Sequence, residues 1–228
     1  MKPHTAILVA LGFASALATT APRAAFAQES PTTDSATPTH DRGAFVVGLK
    51  FGGLFAQPFT EGRLGASFLA SVEVGYVLPF VRRGFQLLLD VGYTQPTASG
   101  TMLDPRVRSN GGNYDWNMIQ RELVTGFTVM YRLTLIGQGR VAPYIGVGPR
   151  LFFLQTVISG SAGASVISES REQSMRFGLS VPLGVDIGLG PGRVFIEALM
   201  LWAPVQHRIT GDSSVGSINA LAGYRLML

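Results

Sequence analysis

From Arg176 to Ile187 the chain alternates without a break. Phe177, Leu179, Val181, Leu183, Val185 and Ile187 share one parity, and Arg176, Gly178, Ser180, Pro182, Gly184 and Asp186 share the other. A β-strand sends successive side chains to opposite faces, so one face of this segment is wholly apolar and the other small or polar. The pattern recurs, and eight strands are expected at about 44–55, 65–78, 84–95, 116–134, 142–156, 171–187, 193–204 and 215–228. A soluble sandwich would cover its polar face with many Lys, Glu and Thr side chains. Here the polar face is sparse and glycine-rich, which suits a narrow enclosed space better than open water.

Composition says which face meets which solvent. Only 14% of residues are charged, against about 25% in ordinary soluble proteins, while 46% are hydrophobic and the mean hydropathy is +0.29. Beyond the N-terminus there is no uncharged apolar run of the roughly 18 residues that a spanning helix needs. Closed strands are then the remaining way across a bilayer, because only helices and barrels satisfy every backbone group internally. The predicted fold is all-β, an eight-stranded antiparallel up-and-down transmembrane barrel over residues 44–228.

The N-terminus reads as an export signal over residues 1–27. Lys2 and His4 precede the apolar stretch Ala6 to Ala18, and Ala25-Phe26-Ala27 offers a small-x-small cleavage site. Residues 28–43, rich in Ser, Thr, Pro and Asp, read as a disordered periplasmic leader. Loss of Lys2 and Arg23 with the signal lowers the formal charge from +4 to +2, so the basic balance is no argument for nucleic acid. The chain has no cysteine, which excludes disulfides, thiolate nucleophiles and Cys-based metal sites.

Longer and shorter connections alternate along the chain, the long ones at about 56–64, 96–115, 157–170 and 205–214. Short periplasmic turns and longer external loops are characteristic of outer-membrane barrels, so both termini are expected in the periplasm. A cysteine placed at Ser109 should then react from outside, and one at Gln138 should not. Phe45, Tyr76, Phe85, Tyr131 and Tyr224 have outward parity near one end of their strands, and Phe55, Phe68, Tyr93, Phe153, Phe177 and Trp202 near the other. Two interfacial girdles are expected from this placement.

Ten charges have inward parity: Lys50, Glu73, Asp90, Glu122, Arg132, Arg150, Arg176, Asp186, Glu197 and Arg225. They comprise five cations and five anions, and each predicted strand contributes at least one. Eight strands leave an interior just wide enough for side chains to fill, so these groups are expected to form a packed polar plug. Arg150 and Arg176 are expected close to Glu122 and Glu197. Arg121 is placed at the extreme end of its strand.

Two stretches resemble known wording. Pro143-Tyr-Ile-Gly-Val-Gly148 is similar to the PYxGxG stretch at the start of a rising strand in small eight-stranded outer-membrane barrels, the class of the OmpA transmembrane domain, OmpX and OmpW. Gly223-Tyr-Arg-Leu-Met-Leu228 resembles the G-x-x-Φ-x-Φ signal read by the barrel insertion machinery, with Gly223, Tyr224, Leu226 and Leu228 on the signal positions. It departs from that pattern at Leu228, where Phe or Trp is usual, and at Leu221, where a polar residue is usual. The resemblance implies a monomer in the cell outer membrane. It implies contact with outer-membrane lipid and lipopolysaccharide, and passage by way of periplasmic chaperones and the insertion machinery.

Catalysis finds little support. After signal removal the histidines are His40, in the leader, and His207, in the last loop, and neither has a nucleophile at motif spacing. No metal-ligand spacing and no cofactor motif is present. The expected function is non-enzymatic, a structural or surface-interaction role through external loops. The alternative is a narrow OmpW-like barrel that passes small hydrophobic molecules through its wall, with Pro149 and Pro182 as the places where a lost ladder donor could open it.

Overall fold

The computed structural model describes residues 43–56, 64–79, 84–103, 110–133, 140–163, 165–204 and 214–228. Signal residues 1–27, leader residues 28–42, and Ser109, Gln138, His40 and His207 lie outside them.

Nine strands form one antiparallel sheet: β1 (Ala44–Phe55), β2 (Ser67–Val77), β3 (Phe85–Thr94), β4 (Thr97–Leu103), β5 (Asn113–Arg132), β6 (Val141–Ala162), β7 (Ser165–Leu189), β8 (Gly192–Trp202) and β9 (Ser217–Met227). The order is β3-β2-β1-β9-β8-β7-β6-β5-β4, and pairing of β3 with β5 closes it. β3 and β4 are two parts of one wall strand. Tyr93 faces Leu123 and Thr97 faces Ile119, the same register on either side of Gln95-Pro96. Proline has no N–H, so the ladder lapses there; the Pro96 carbonyl still accepts from the Gln120 N–H at 3.0 Å. The result is a closed eight-stranded barrel, joined by β9 to β1 from Val46↔Met227 to Phe55↔Ile218.

Two expected loops are corrected. Residues 96–115 hold β4 and the start of β5, and residues 157–170 hold the ends of β6 and β7. Their Ser, Gly and Asn content looks like loop composition, but each hairpin arm finds its ladder partner across its own tip and needs no lipid-facing side chains. At the second tip Gly163 sits at φ 60°, in the left-handed region that glycine adopts without penalty.

The barrel is therefore lopsided. A tilted membrane-spanning strand needs about 9–11 residues. β1, β2, β8 and β9 have 12, 11, 11 and 11, whereas β5, β6 and β7 have 20, 22 and 25. The surplus of about ten residues, roughly 30 Å of strand, projects beyond the end opposite the termini as a sheet of β4, β5, β6 and β7. Pairing of β7 with β8 begins only at Leu179↔Trp202, so among the described residues the Ser165–Gly178 stretch of β7 has ladder partners on its β6 side alone.

The wall faces outward with its apolar parity. Phe45, Phe68, Phe177 and Ile196 are 63–71% exposed. Phe45 packs edge-on against Tyr76 at 5.1 Å, and Phe85 lies 4.8 Å from Tyr131, both near the terminus end. Phe55, Phe68, Tyr93, Phe153, Phe177 and Trp202 are exposed further up.

Candidate functional site: the layered lumen

The inward-facing side chains fall into four layers, each built from several strands. Lowest, at the terminus end, Asp186 accepts from Arg132 Nε at 2.7 Å and from Arg193 Nε. The Gln86 amide, turned with its oxygen toward Arg132, accepts from Nη2 at 2.6 Å and Nη1 at 3.0 Å. Above lies a buried apolar layer of Val46, Val77, Leu88, Met130, Tyr144 and Phe195.

The third layer is a connected ion network. Lys50 Nζ lies 3.3 Å from Glu197, 3.5 Å from Glu73 and 3.9 Å from Asp90. Arg225 binds Glu73 and reaches Glu197 at 3.3 Å, and Arg150 binds Asp90. Three cations thus meet three carboxylates. Further lone pairs and N–H groups are used as well: Tyr144 donates to Glu197 Oε2 at 2.9 Å, and Arg150 donates to Ser180 and Thr128, each at 2.8 Å, while Arg225 Nη1 is buried without a hydrogen-bond partner among the described residues. Arg225 is fully buried. Its guanidinium lies 3.9 Å from the Phe195 ring centroid and 5.0 Å from that of Tyr144, so the lower apolar layer also holds it through its π faces.

The fourth layer is apolar again, and larger. Leu54, Leu69, Val124, Phe152, Leu154, Leu199, Leu201 and Leu221 form its buried core. The packed polar plug expected from sequence parity shares the lumen with hydrocarbon: the charged layers are separated and capped by buried apolar side chains. Between the ion network and this cap, the space lined by Lys50, Asp90, Arg150, Leu69 and Leu199 is about 10 Å³. That is at the threshold for holding one water.

Nine of the ten inward-parity charges are buried, and Arg176 is half-buried. The expected grouping of Arg150 and Arg176 with Glu122 and Glu197 does not occur. Long side chains reach across the lumen to non-neighbouring strands, which strand order cannot show. Glu122 accepts from Gln120 Nε2 at 2.6 Å and makes no ion pair among the described residues. The Arg176 Nε is buried without a partner. Arg193 was missed although it shares the parity of Glu197, because it adjoins the Gly188–Gly192 turn, where parity is hard to read.

Close approach is built in at two glycines. A Cβ at Gly126 would lie 2.5 Å from Arg150 Cδ, and one at Gly184 would lie 2.5 Å from the Tyr144 hydroxyl. Gly126→Ala should therefore displace Arg150 and lower stability by about 1–3 kcal/mol, read in denaturant titrations of the folded barrel. An unchanged midpoint would show that the wall yields there at no cost.

At the seam, Leu228 and Phe45 exchange backbone hydrogen bonds of 2.8 and 3.0 Å, and Tyr224 donates to the Leu189 carbonyl at 3.0 Å. Leu226 lies half-buried, Leu228 is exposed, and Gly223 lets the Phe195 ring approach.

An apolar outer wall, a closed antiparallel ladder and an interior of ion pairs define a small eight-stranded β-barrel of the outer-membrane class. No family model and no curated protein matches the chain. Among solved structures it is similar to Neisserial surface protein A, at 18% identity over 81% of this chain and 96% of that one, with TM-score 0.40. It is similar to OprG from Pseudomonas aeruginosa at 9% identity, 82% and 97% coverage and TM-score 0.43. The attachment invasion locus protein Ail of Yersinia pestis, in complex with the heparin analogue sucrose octasulfate, matches at 13% identity, 81% and 97% coverage and TM-score 0.35.

Proposed function

We propose that this barrel is a closed, non-enzymatic anchor in the outer membrane that presents the β4–β7 sheet to the cell exterior as an interaction surface. The observation that carries the reading is the alternation of two ion layers with two packed apolar layers. An ion entering from either side would have to cross hydrocarbon with no partner, at a cost of several kcal/mol.

The strand surplus supports the second half of the reading. Bilayer thickness does not require β5, β6 and β7 to be twice the length of β1, and chain is spent there on a sheet that lies beyond the wall. Among the described residues the β6-bonded stretch of β7 has no ladder partner along its outer edge, and an extended segment of a surface partner fits such an edge by strand addition. Glu169 and Arg171, paired at 3.3 Å, and the polar, exposed Gln173 restrict unspecific pairing of that edge.

The narrow-transport alternative looks to Pro149 and Pro182. Ladder partners lapse beside each, between Gly126↔Arg150 and Val129↔Val147 and between Ile145↔Leu183 and Gly148↔Ser180. The register is the same on both sides of each gap, which favours local kinks over a wall opening.

Purified protein in planar bilayers should show no steady porin-like conductance, and a stable open level would defeat the closed-anchor reading. In intact cells, cysteine at Leu103, 69% exposed on β4, should react with an impermeant reagent, and cysteine at Pro191 should not. The reverse labelling would place the projecting sheet in the periplasm.

A further inference from the structure

The outer wall changes character between two adjacent rows of residues. In one row Tyr93, Leu123, Phe153 and Met175 face one another in register across β3, β5, β6 and β7. The next row away from the termini is Arg121, Gln155 and Gln173, also in register and also outward. Both rows line one surface cavity of about 550 Å³. Sequence reading had put Arg121 at a strand end; the long hairpin places it in mid-strand, on the boundary where the apolar belt stops.

The cation at this boundary is free to bind an anion. Arg121 Nη1 donates to Gln155 Oε1 at 3.3 Å, one of five N–H groups in the guanidinium, and among the described residues no carboxylate lines the cavity. The nearest outward acid on β7, Glu169, is already paired with Arg171. A cavity of similar size, about 540 Å³, lies at the terminus end of the wall between Phe45, Tyr76, Leu87, Leu89 and Leu228, and its lining contains no cation. Hydrocarbon grooves thus occur at both interfaces, and a guanidinium in one row with two amides lines this one.

We infer that this cavity is a seat for one phosphorylated glycolipid of the outer leaflet, lipopolysaccharide through its lipid A moiety. Arg121 takes a sugar phosphate as a charge-assisted fork. Gln155 and Gln173, each with donors and an acceptor, take the neighbouring sugar hydroxyls, and an acyl chain lies along Leu123, Phe153 and Met175 below Tyr93. A phospholipid has the phosphate and the chains, but its headgroup lacks a sugar ring to use both amides. The inference rests on the outward placement of the sheet proposed above.

The test is native mass spectrometry of the full chain released from micelles, with diphosphoryl lipid A, dephosphorylated lipid A and phosphatidylglycerol as probes. Arg121→Gln lies on the surface, and heat-modifiable gel migration checks that it is folded. Lipid A affinity should fall about tenfold on removal of its phosphates and about tenfold in Arg121→Gln, the scale of one charge-assisted hydrogen bond. It should not change in Arg171→Gln. Phosphatidylglycerol should bind more weakly and ignore Arg121. Equal losses in Arg121→Gln and Arg171→Gln, unchanged lipid A affinity in Arg121→Gln, or an Arg121-dependent phosphatidylglycerol signal as strong as that of lipid A would each overturn the assignment. Periplasmic labelling of Leu103→Cys would instead defeat the orientation on which it rests, an outcome the micelle measurement does not share.

Discussion

Glu197→Gln lowers the unfolding free energy of the barrel by about 3–5 kcal/mol, the usual consequence of removing one member of a buried ion pair. Among the described residues Glu197 is the carboxylate that contacts Lys50, Arg225 and the Tyr144 hydroxyl together. Its neutralisation leaves three cations facing two carboxylates in a layer sealed above and below. Glu169→Gln, which breaks a pair more than half exposed on each side, should change stability by less than about 1 kcal/mol. Urea titrations in lipid vesicles measure both. Comparable small losses would mean that water reaches the central layer and that the apolar layers do not seal it.

Phe152→Ala should cost about 3–5 kcal/mol as well, for a different reason. Phe152 has no exposed surface and lies at the centre of the upper apolar layer, where truncation removes contact area and leaves a cavity. The variant should nevertheless remain silent in planar bilayers, because Tyr144, Phe195 and Met130 still close the lumen below the ion network. Loss of stability accompanied by a steady current would locate the whole barrier in the upper layer and show the lower one to be leaky.

Much of this molecule can be read from its alternation. The two-residue period of Arg176–Ile187 assigns faces with no knowledge of partners, and the strand count and the outward girdles both follow from it. The hairpin extensions could not be read in the same way. Thr97–Leu103 and Ser159–Ala162 lack the alternating apolar face of the lower wall, and they are strands because β4 pairs with β5 and β6 with β5 and β7. Ladder hydrogen bonds are indifferent to side-chain polarity, so composition alone suggested loops.

The interior divides along the same line. That Glu197, Arg225 and Leu199 point inward is a local property of strand parity, and the sequence by itself determined it. So too the overall exchange of solvents, with apolar residues outside and charges inside, is set by composition and alternation. Which charge meets which was decided by closure. Lys50 on β1 reaches Glu197 on β8, and Arg150 on β6 reaches Asp90 on β3, spans across a lumen whose width and stagger exist only when β3 joins β5. Height along the axis is equally a product of register, which stacks Leu54, Val124, Phe152 and Leu199 into one cap. A sequence fixes the direction of each side chain from its strand; only the closed sheet brings side chains from opposite walls to the same level.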